Sequence, residues 1–257
     1  MMELLRNCGH GSEIATYLRS DNNRPTVIAK ATIDPNGIVN LGNELTGWSW
    51  YQARRYPTRR DPICRIEQNN PSYRRITIDY IAGRRPDLLR GIEANADVLM
   101  QVVEHYCAVW PTNDIAPIHG DLCLDNIIIN TDGVHIIDWE HFNAGGGPWG
   151  FDAIYLLFDT LYFGMLDYRP VRNGEIQLIA EGLRRLNAAK HLRGEFLAQP
   201  LAFTRHFVQS NTAYWGAQLD AFKMKLPGIS FGDAQIADID RRVSAEIDIF
   251  STGGSRV

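Results

Sequence analysis

Apolar and polar positions recur along this chain with two different periods, and the change of period divides it. Residues 3–33 read as three short strands. Glu13 to Arg19 alternates, Ser20 to Pro25 is rich in turn residues, and Thr26 to Ile33 is a β-branched return strand carrying Lys30. Cys64 to Gln68 and Arg74 to Ile81 form a further strand pair around Asn69-Asn70-Pro71-Ser72. Between these strands the period lengthens to that of a helix. Leu41, Leu45, Trp48 and Tyr51 share one face of a segment that Asn40 can cap and that runs to about Tyr56, with Glu44 bordering the face.

Beyond Pro86 the helical period dominates. Ile92, Ala96, Leu99, Val103, Tyr106 and Trp110 mark one amphipathic helix, stopped by Pro111. Two β-branched runs, IIIN and VHIID, follow. Thr131-Asp132-Gly133 joins them, which is a hairpin signal. Gly145-Gly146-Gly147-Pro148 is expected to be irregular. Phe151 to Asp167 is apolar nearly all round and so central. Asn173 can cap a helix with Ile176, Ile179, Leu183 and Leu186 inward, and Leu201 to Phe222 is aromatic-rich. Asp233 can cap a last helix with Ile236, Ile239, Val243, Ile247 and Phe250 on one face. The pattern predicts an α+β chain: a sheet with one helix over residues 1–82, then mainly helices around the hairpin over residues 83–257.

Composition narrows the class. With 257 residues, 45% hydrophobic and 22% charged, the chain is globular and long enough to bury a core. A net charge of −4 gives no basic field for a nucleic-acid polymer. The charge is uneven, however: residues 1–110 carry 14 Lys and Arg against 12 Asp and Glu, and residues 111–257 carry 12 against 18. That asymmetry fits either a phosphate-binding N-terminal part beside one that accepts a neutral or cationic substrate, or ordinary variation of surface charge. Cys8, Cys64, Cys107 and Cys123 are scattered without zinc spacing, as in a reduced cytoplasmic protein. No signal peptide is read at the N-terminus. The most apolar stretch, from Ala153, is broken by Asp159 and too short to span a bilayer.

Candidate chemistry concentrates between Ile118 and Asp152. Asp121, Asn126 and Asp138 are polar residues in an apolar frame. Asn126 at the entry of the first hairpin strand and Asp138 at the exit of the second would lie at the same end of the ribbon. An amide and a carboxylate oxygen converging there suit magnesium, and a further carboxylate, Asp121, can act as the base. These are the parts of kinase-type phosphoryl transfer. Upstream, Lys30 stands inside the apolar run VIAKATI, where it must reach solvent or an anion. The loop Cys8-Gly9-His10-Gly11-Ser12 would let backbone N–H groups approach phosphates.

His119-Gly120-Asp121 with Asn126, followed by Ile137-Asp138-Trp139-Glu140, resembles the signature of the aminoglycoside phosphotransferase and choline kinase group. Members are small-molecule kinases with a two-lobed protein-kinase-like fold. The resemblance implies that Asp121 serves the acceptor hydroxyl, that Asn126 and Asp138 hold Mg2+, and that Lys30 pairs with Glu44 and the nucleotide phosphates. It places backbone groups near Tyr80 and Ile81 on the base of ATP or GTP, and Gly9, Gly11 and Ser12 over the phosphates. It gives His119 the task of orienting the catalytic loop, and Asp152 is read as bracing that loop rather than touching substrate. The segment from Trp139 to Phe151 contains no Ser, Thr or Tyr and offers little platform for a peptide. The expected acceptor is therefore a small molecule, a sugar or amino sugar before a choline-like amino alcohol. Two other readings compete: a metal-dependent phosphoesterase built on His119, Asp121, Asp125, Asp138 and His141, and a catalytically silent binding module.

Overall fold

The computed structural model describes residues 2–6, 14–165, 169–210 and 231–252. The chain forms two compact units and passes between them more than once. The first comprises Met1–Gly83 with His119–Asp121 and Ile137–Ala144; the second comprises Arg84–Ile118, Leu122–Ile136 and Gly145–Val257.

In the first unit β1 (Met2–Arg6), β2 (Ala15–Asp21), β3 (Arg24–Thr32), β4 (Cys64–Asn70) and β5 (Tyr73–Asp79) form one antiparallel sheet in the order β1-β2-β3-β5-β4. The turn between β2 and β3 is tighter than the turn-rich stretch Ser20–Pro25 predicts. Asp21 pairs with Arg24 across Asn22 and Asn23, whose φ angles are 48° and 61°. Asparagine tolerates this left-handed backbone, which matches the twist of a two-residue hairpin.

Helix α1 (Pro35–Arg55) starts earlier than its apolar face suggests. Its cap is Asp34, not Asn40: the Asp34 carboxylate accepts from the N–H groups of Asn36 at 2.8 Å and Gly37 at 3.3 Å. Pro35 follows at the first helical position, where it forfeits no bond. Asn40 is buried inside the helix instead. Leu41, Trp48 and Tyr51 are buried as expected, each contributing roughly 1.5–3 kcal/mol. Leu45 is only half-buried. The inward line passes through Glu44, which is fully buried.

The core beneath α1 is aromatic. Trp139 lies 5.0 Å from Tyr51, 5.9 Å from Trp50 and 6.4 Å from Trp48 between ring centroids, and Phe142 lies 5.6 Å from Trp50. The helix approaches so closely that a Cβ on Gly47 would stand 2.7 Å from the Trp139 Cβ.

In the second unit the helix expected over Ile92–Trp110 is two: α2 (Gly91–Ala94) and α3 (Ala96–Val109). Asn95 breaks them because its side-chain amide donates to the carbonyls of Asp87 at 2.8 Å and Gly91 at 2.9 Å, competing with the helix backbone. The apolar stripe survives: Ile92, Leu99, Val103, Tyr106 and Trp110 are all buried. β7 (Ile127–Asn130) and β8 (Gly133–Ile136) form the expected hairpin, with Asn130 opposite Gly133 and Thr131-Asp132 as its loop.

The glycine run is regular structure, contrary to expectation. β9 (Asn143–Pro148) pairs with β6 (Ile115–Ile118). Gly146 has φ 73°, and a Cβ there would stand 2.0 Å from the Ala116 carbonyl oxygen, so glycine is what allows the pairing. Helices then complete the unit. In α4 (Phe151–Phe163) every residue through Leu161 is buried. α5 (Asn173–Ala189) is capped from Arg172 rather than Asn173, with the Glu175 carboxylate accepting the Arg172 N–H at 2.8 Å. α6 (Gly194–Ala198), α7 (Pro200–Ser210) and α8 (Asp233–Thr252) follow, with Ile236, Ile239, Val243 and Ile247 of α8 buried. Residues 211–222 of the aromatic-rich stretch and the side chain of Phe250 lie outside the described residues. Among the described residues no helix is long and apolar enough to cross a membrane.

Candidate active site

Lys30 is the centre of the site in the first unit. β3 places it in the middle of the sheet, between Thr16 of β2 and Ile76 of β5. Its side chain leaves the sheet toward α1, buried, and meets an anion rather than solvent. Nζ lies 2.6 Å from Glu44 Oε2, 2.5 Å from Asp138 Oδ1 and 2.9 Å from Glu140 Oε1. The second oxygen of Glu44, Oε1, accepts from the Trp48 indole N–H at 3.0 Å. The sequence anticipates the pair Lys30–Glu44. It does not anticipate that Asp138 and Glu140 share the same ammonium.

Three carboxylates around one ammonium leave an excess of negative charge in a buried place. The groups respond unequally. Burial pushes Glu140 up to about 8, with Asp138 and Glu44 adding to the rise and Lys30 opposing it. Burial also raises Glu44, against the pull of Lys30. Asp138 is held below the ordinary carboxylate range: burial works against its charge, but the Lys30 ammonium beside it prevails. Burial alone would discharge Lys30, and the three carboxylates keep it charged. Near neutral pH, Glu140 therefore favours its protonated form.

The donor set suits a hard divalent cation. Oxygens of Glu44, Asp138 and Glu140 converge within 4.8 Å of one another, and carboxylate oxygens are the ligands magnesium prefers. A cation there would also neutralise the charge excess that Lys30 only partly offsets. Glu140 is the residue that reasoning from sequence passed over. Its signal is the spacing in Asp138-Trp139-Glu140: two carboxylates stand one residue apart, and the residue between them, Trp139, is buried in the aromatic core.

Asp121 follows a turn that only glycine can make. Gly120 has φ 87°, and a Cβ there would stand 2.5 Å from the His141 carbonyl oxygen. His119 is fully buried and its basicity is lowered to about 4, burial outweighing the Ile137 carbonyl at its ring. The neutral ring is fixed in one tautomer. Nε2–H donates to the Ile137 carbonyl at 2.9 Å, and Nδ1 accepts the Asp121 backbone N–H at 3.3 Å. One imidazole thus ties the Asp121 loop to the segment carrying Asp138. Asp138 itself has φ 64°, a left-handed backbone that aspartate tolerates.

The remaining expected residues are placed as follows. Asn126 ends a 3-10 turn (Leu124–Asn126) in the second unit, buried and directly ahead of β7. Tyr80 is exposed beyond β5, and its N–H is committed to the Thr26 carbonyl at 3.0 Å. Ile81 follows it, half-buried. Gly9, Gly11 and Ser12 lie outside the described residues. The phosphoesterase cluster does not assemble: both ring nitrogens of His119 are engaged by the backbone, and among the described His, Cys, Asp and Glu residues only Glu44, Asp138 and Glu140 converge as a metal-ligand set. His135 is buried and bonded to Asn130 Oδ1 at 2.8 Å, as strand packing predicts.

The model of the phosphotransferase enzyme family matches residues 52–193, more than half of the chain and including both motifs. The chain belongs to this family. It is accordingly an enzyme, a kinase of small molecules that carries a phosphoryl group from a nucleotide to a hydroxyl. No curated protein matches the sequence. Among solved structures this phosphotransferase resembles an amicoumacin kinase in complex with AMP-PNP, Ca2+ and amicoumacin, with TM-score 0.51 and 12% identity over 96% of this chain and 88% of that one. An aminoglycoside phosphotransferase bound to GDP gives TM-score 0.46 and 14% identity, covering 99% and 94%. Another, in a ternary complex with streptomycin and ATP, gives 0.44 and 10%, covering 96% and 93%. At such identities the likeness to the amicoumacin kinase establishes the kinase-like α+β fold of the phosphotransferase, and its chemistry is argued from the residues.

Proposed function

We propose that this phosphotransferase moves the γ-phosphoryl group of ATP or GTP to a hydroxyl of a sugar or amino sugar, or of a choline-like amino alcohol, in a magnesium-dependent reaction. The observation that carries the reading is Lys30 held by Glu44, Asp138 and Glu140. Lys30 is fixed on a strand as a cation for nucleotide phosphates, and the carboxylates beside it offer hard oxygens for the metal.

Asp138 and Glu140 would hold the cation, and Asn126 keeps the ligand role that its spacing and the motif give it. When bound, the metal supplies charge neutralisation on the phosphates. The chain's own groups do the rest. Asp121 accepts the proton of the acceptor hydroxyl and orients it, and His119 fixes the Asp121 loop through its backbone N–H. Lys30, steadied by Glu44, neutralises the phosphoryl oxygens. Because the transition state is loose, positioning and charge neutralisation supply most of the rate. The base would meet the Tyr80 carbonyl and the Ile81 N–H, since the Tyr80 N–H is already bonded. Gly9, Gly11 and Ser12 would cover the phosphates.

Thermal unfolding with added ligands tests the site. MgATP or MgGTP should raise the melting temperature well beyond magnesium alone, by RT ln(1 + [L]/Kd) in free energy. A panel of small alcohols, assayed for ADP or GDP release, should then yield an acceptor. Stabilisation by manganese or zinc alone with hydrolysis of phosphoesters, or phosphate transfer to generic proteins and to no small alcohol, would defeat the reading.

A further inference from the structure

The apolar pattern of α1 asks only for bulk at position 48, and a Leu or Phe would satisfy it. The structure puts a donor there. Trp48 is buried, and its indole N–H points at Glu44 Oε1 from one helical turn away, at 3.0 Å. Its ring is clamped edge-on by Tyr51 at 6.0 Å and packs on Trp139, the residue between Asp138 and Glu140, at 6.4 Å. The donor therefore cannot swing away. Glu44 is fully buried, so each of its oxygens needs a partner: Oε2 has Lys30 and Oε1 has Trp48. The same ammonium also meets Asp138 at 2.5 Å and Glu140 at 2.9 Å, which compete with Glu44 for it.

We propose that Trp48 is a positioning residue: its indole N–H fixes the Glu44 carboxylate, and through Glu44 it fixes where the Lys30 ammonium stands between α1 and the Asp138–Glu140 segment. Without that donor the Glu44 carboxylate is free to turn, and Lys30 settles on Asp138 and Glu140 instead of on the phosphates. The inference rests on the reading of Lys30 as the phosphate partner. Trp48 touches neither nucleotide nor acceptor and acts only through Glu44.

The test is a double-mutant cycle on the full chain, read as kcat and KM for the nucleotide well below the melting temperature. Trp48→Phe, which keeps a ring and removes the donor, should lower kcat/KM for the nucleotide about tenfold, mostly through KM. Glu44→Ala, which removes both acceptor oxygens, should lower it at least as much. In the Glu44→Ala background, Trp48→Phe should add no further loss. A packing role alone predicts the same factor in both backgrounds, and that result, or wild-type kcat/KM in Trp48→Phe, overturns the inference. Wild-type KM in Glu44→Ala would instead overturn the reading of Lys30 on which it rests. If Trp48→Phe fails to fold, 3-benzothienylalanine at position 48 preserves the ring shape, lacks the N–H and gives the same contrast.

Discussion

Glu140→Gln should make the metal-free protein more stable at alkaline pH while impairing it as an enzyme. The change keeps the side-chain shape and a carbonyl oxygen that can still accept from Lys30, and it removes one titrating charge. In the folded protein Glu140 is raised to about 8 from an ordinary 4.5, burial being the main cause. The sign follows from proton binding. Between about pH 4.5 and about pH 8 the folded state holds a proton that the unfolded chain has released, so the contribution is fully present below 4.5 and is lost as pH rises through 8. The loss runs at about 1.4 kcal/mol per pH unit, or about 4 kcal/mol between pH 5 and pH 8 as a ceiling. With roughly 2–4 °C per kcal/mol for a chain of this size, that is on the order of 10 °C. Thermal unfolding in EDTA should therefore show wild type and Glu140→Gln melting together near pH 5, with the variant melting higher by up to that amount near pH 8. Magnesium at pH 8 should close the gap by stabilising the ionised Glu140 of the wild type. Parallel curves from pH 5 to pH 8 would refute the reasoning, because Glu140 would then carry no excess charge.

Three further outcomes are expected. Asp121→Asn should keep nucleotide-dependent stabilisation and lose on the order of 10² to 10⁴ in turnover; unchanged turnover would remove Asp121 from the chemistry. Asp138→Ala should raise the magnesium requirement more than Asn126→Ala does, since it deletes a formal charge at the ion, and identical magnesium titrations in wild type and Asp138→Ala would move the metal elsewhere. Gly146→Ala should cost on the order of 2–3 kcal/mol or more, because its Cβ would meet the Ala116 carbonyl 2.0 Å away at a positive φ; a melting temperature within a degree of wild type would show that β9 and β6 part easily.

What the sequence showed depended on whether a feature was local. Strand alternation around Lys30 and the helical face through Trp48 and Tyr51 are local and legible, whereas the pairing of Lys30 with Glu44 came from the resemblance to the family. The Thr131-Asp132 hairpin was legible for the same reason. Two errors were misread local signals. Asp34-Pro35 is a better helix start than Asn40, and Asn95 competes with the helix that the apolar stripe alone would continue. Two others were out of reach of any local rule. A glycine run looks irregular until Ala116 is seen beside Gly146, and Glu140 looks like an ordinary motif residue until Lys30, more than a hundred positions earlier, lies 2.9 Å from it.

The first unit is not a continuous stretch of chain. It takes His119–Asp121 and Ile137–Ala144 from beyond its sheet, and Trp139 and Phe142 among them supply the middle of its aromatic core. A protein cut after Gly83 would keep all five strands and α1 yet leave the faces of Trp48, Trp50 and Tyr51 uncovered and Lys30 without Asp138 and Glu140. During synthesis the same fragment exists for a time. The aromatic face of α1 stays open until residues 137–144 have emerged, and exposed apolar surface of that kind favours aggregation.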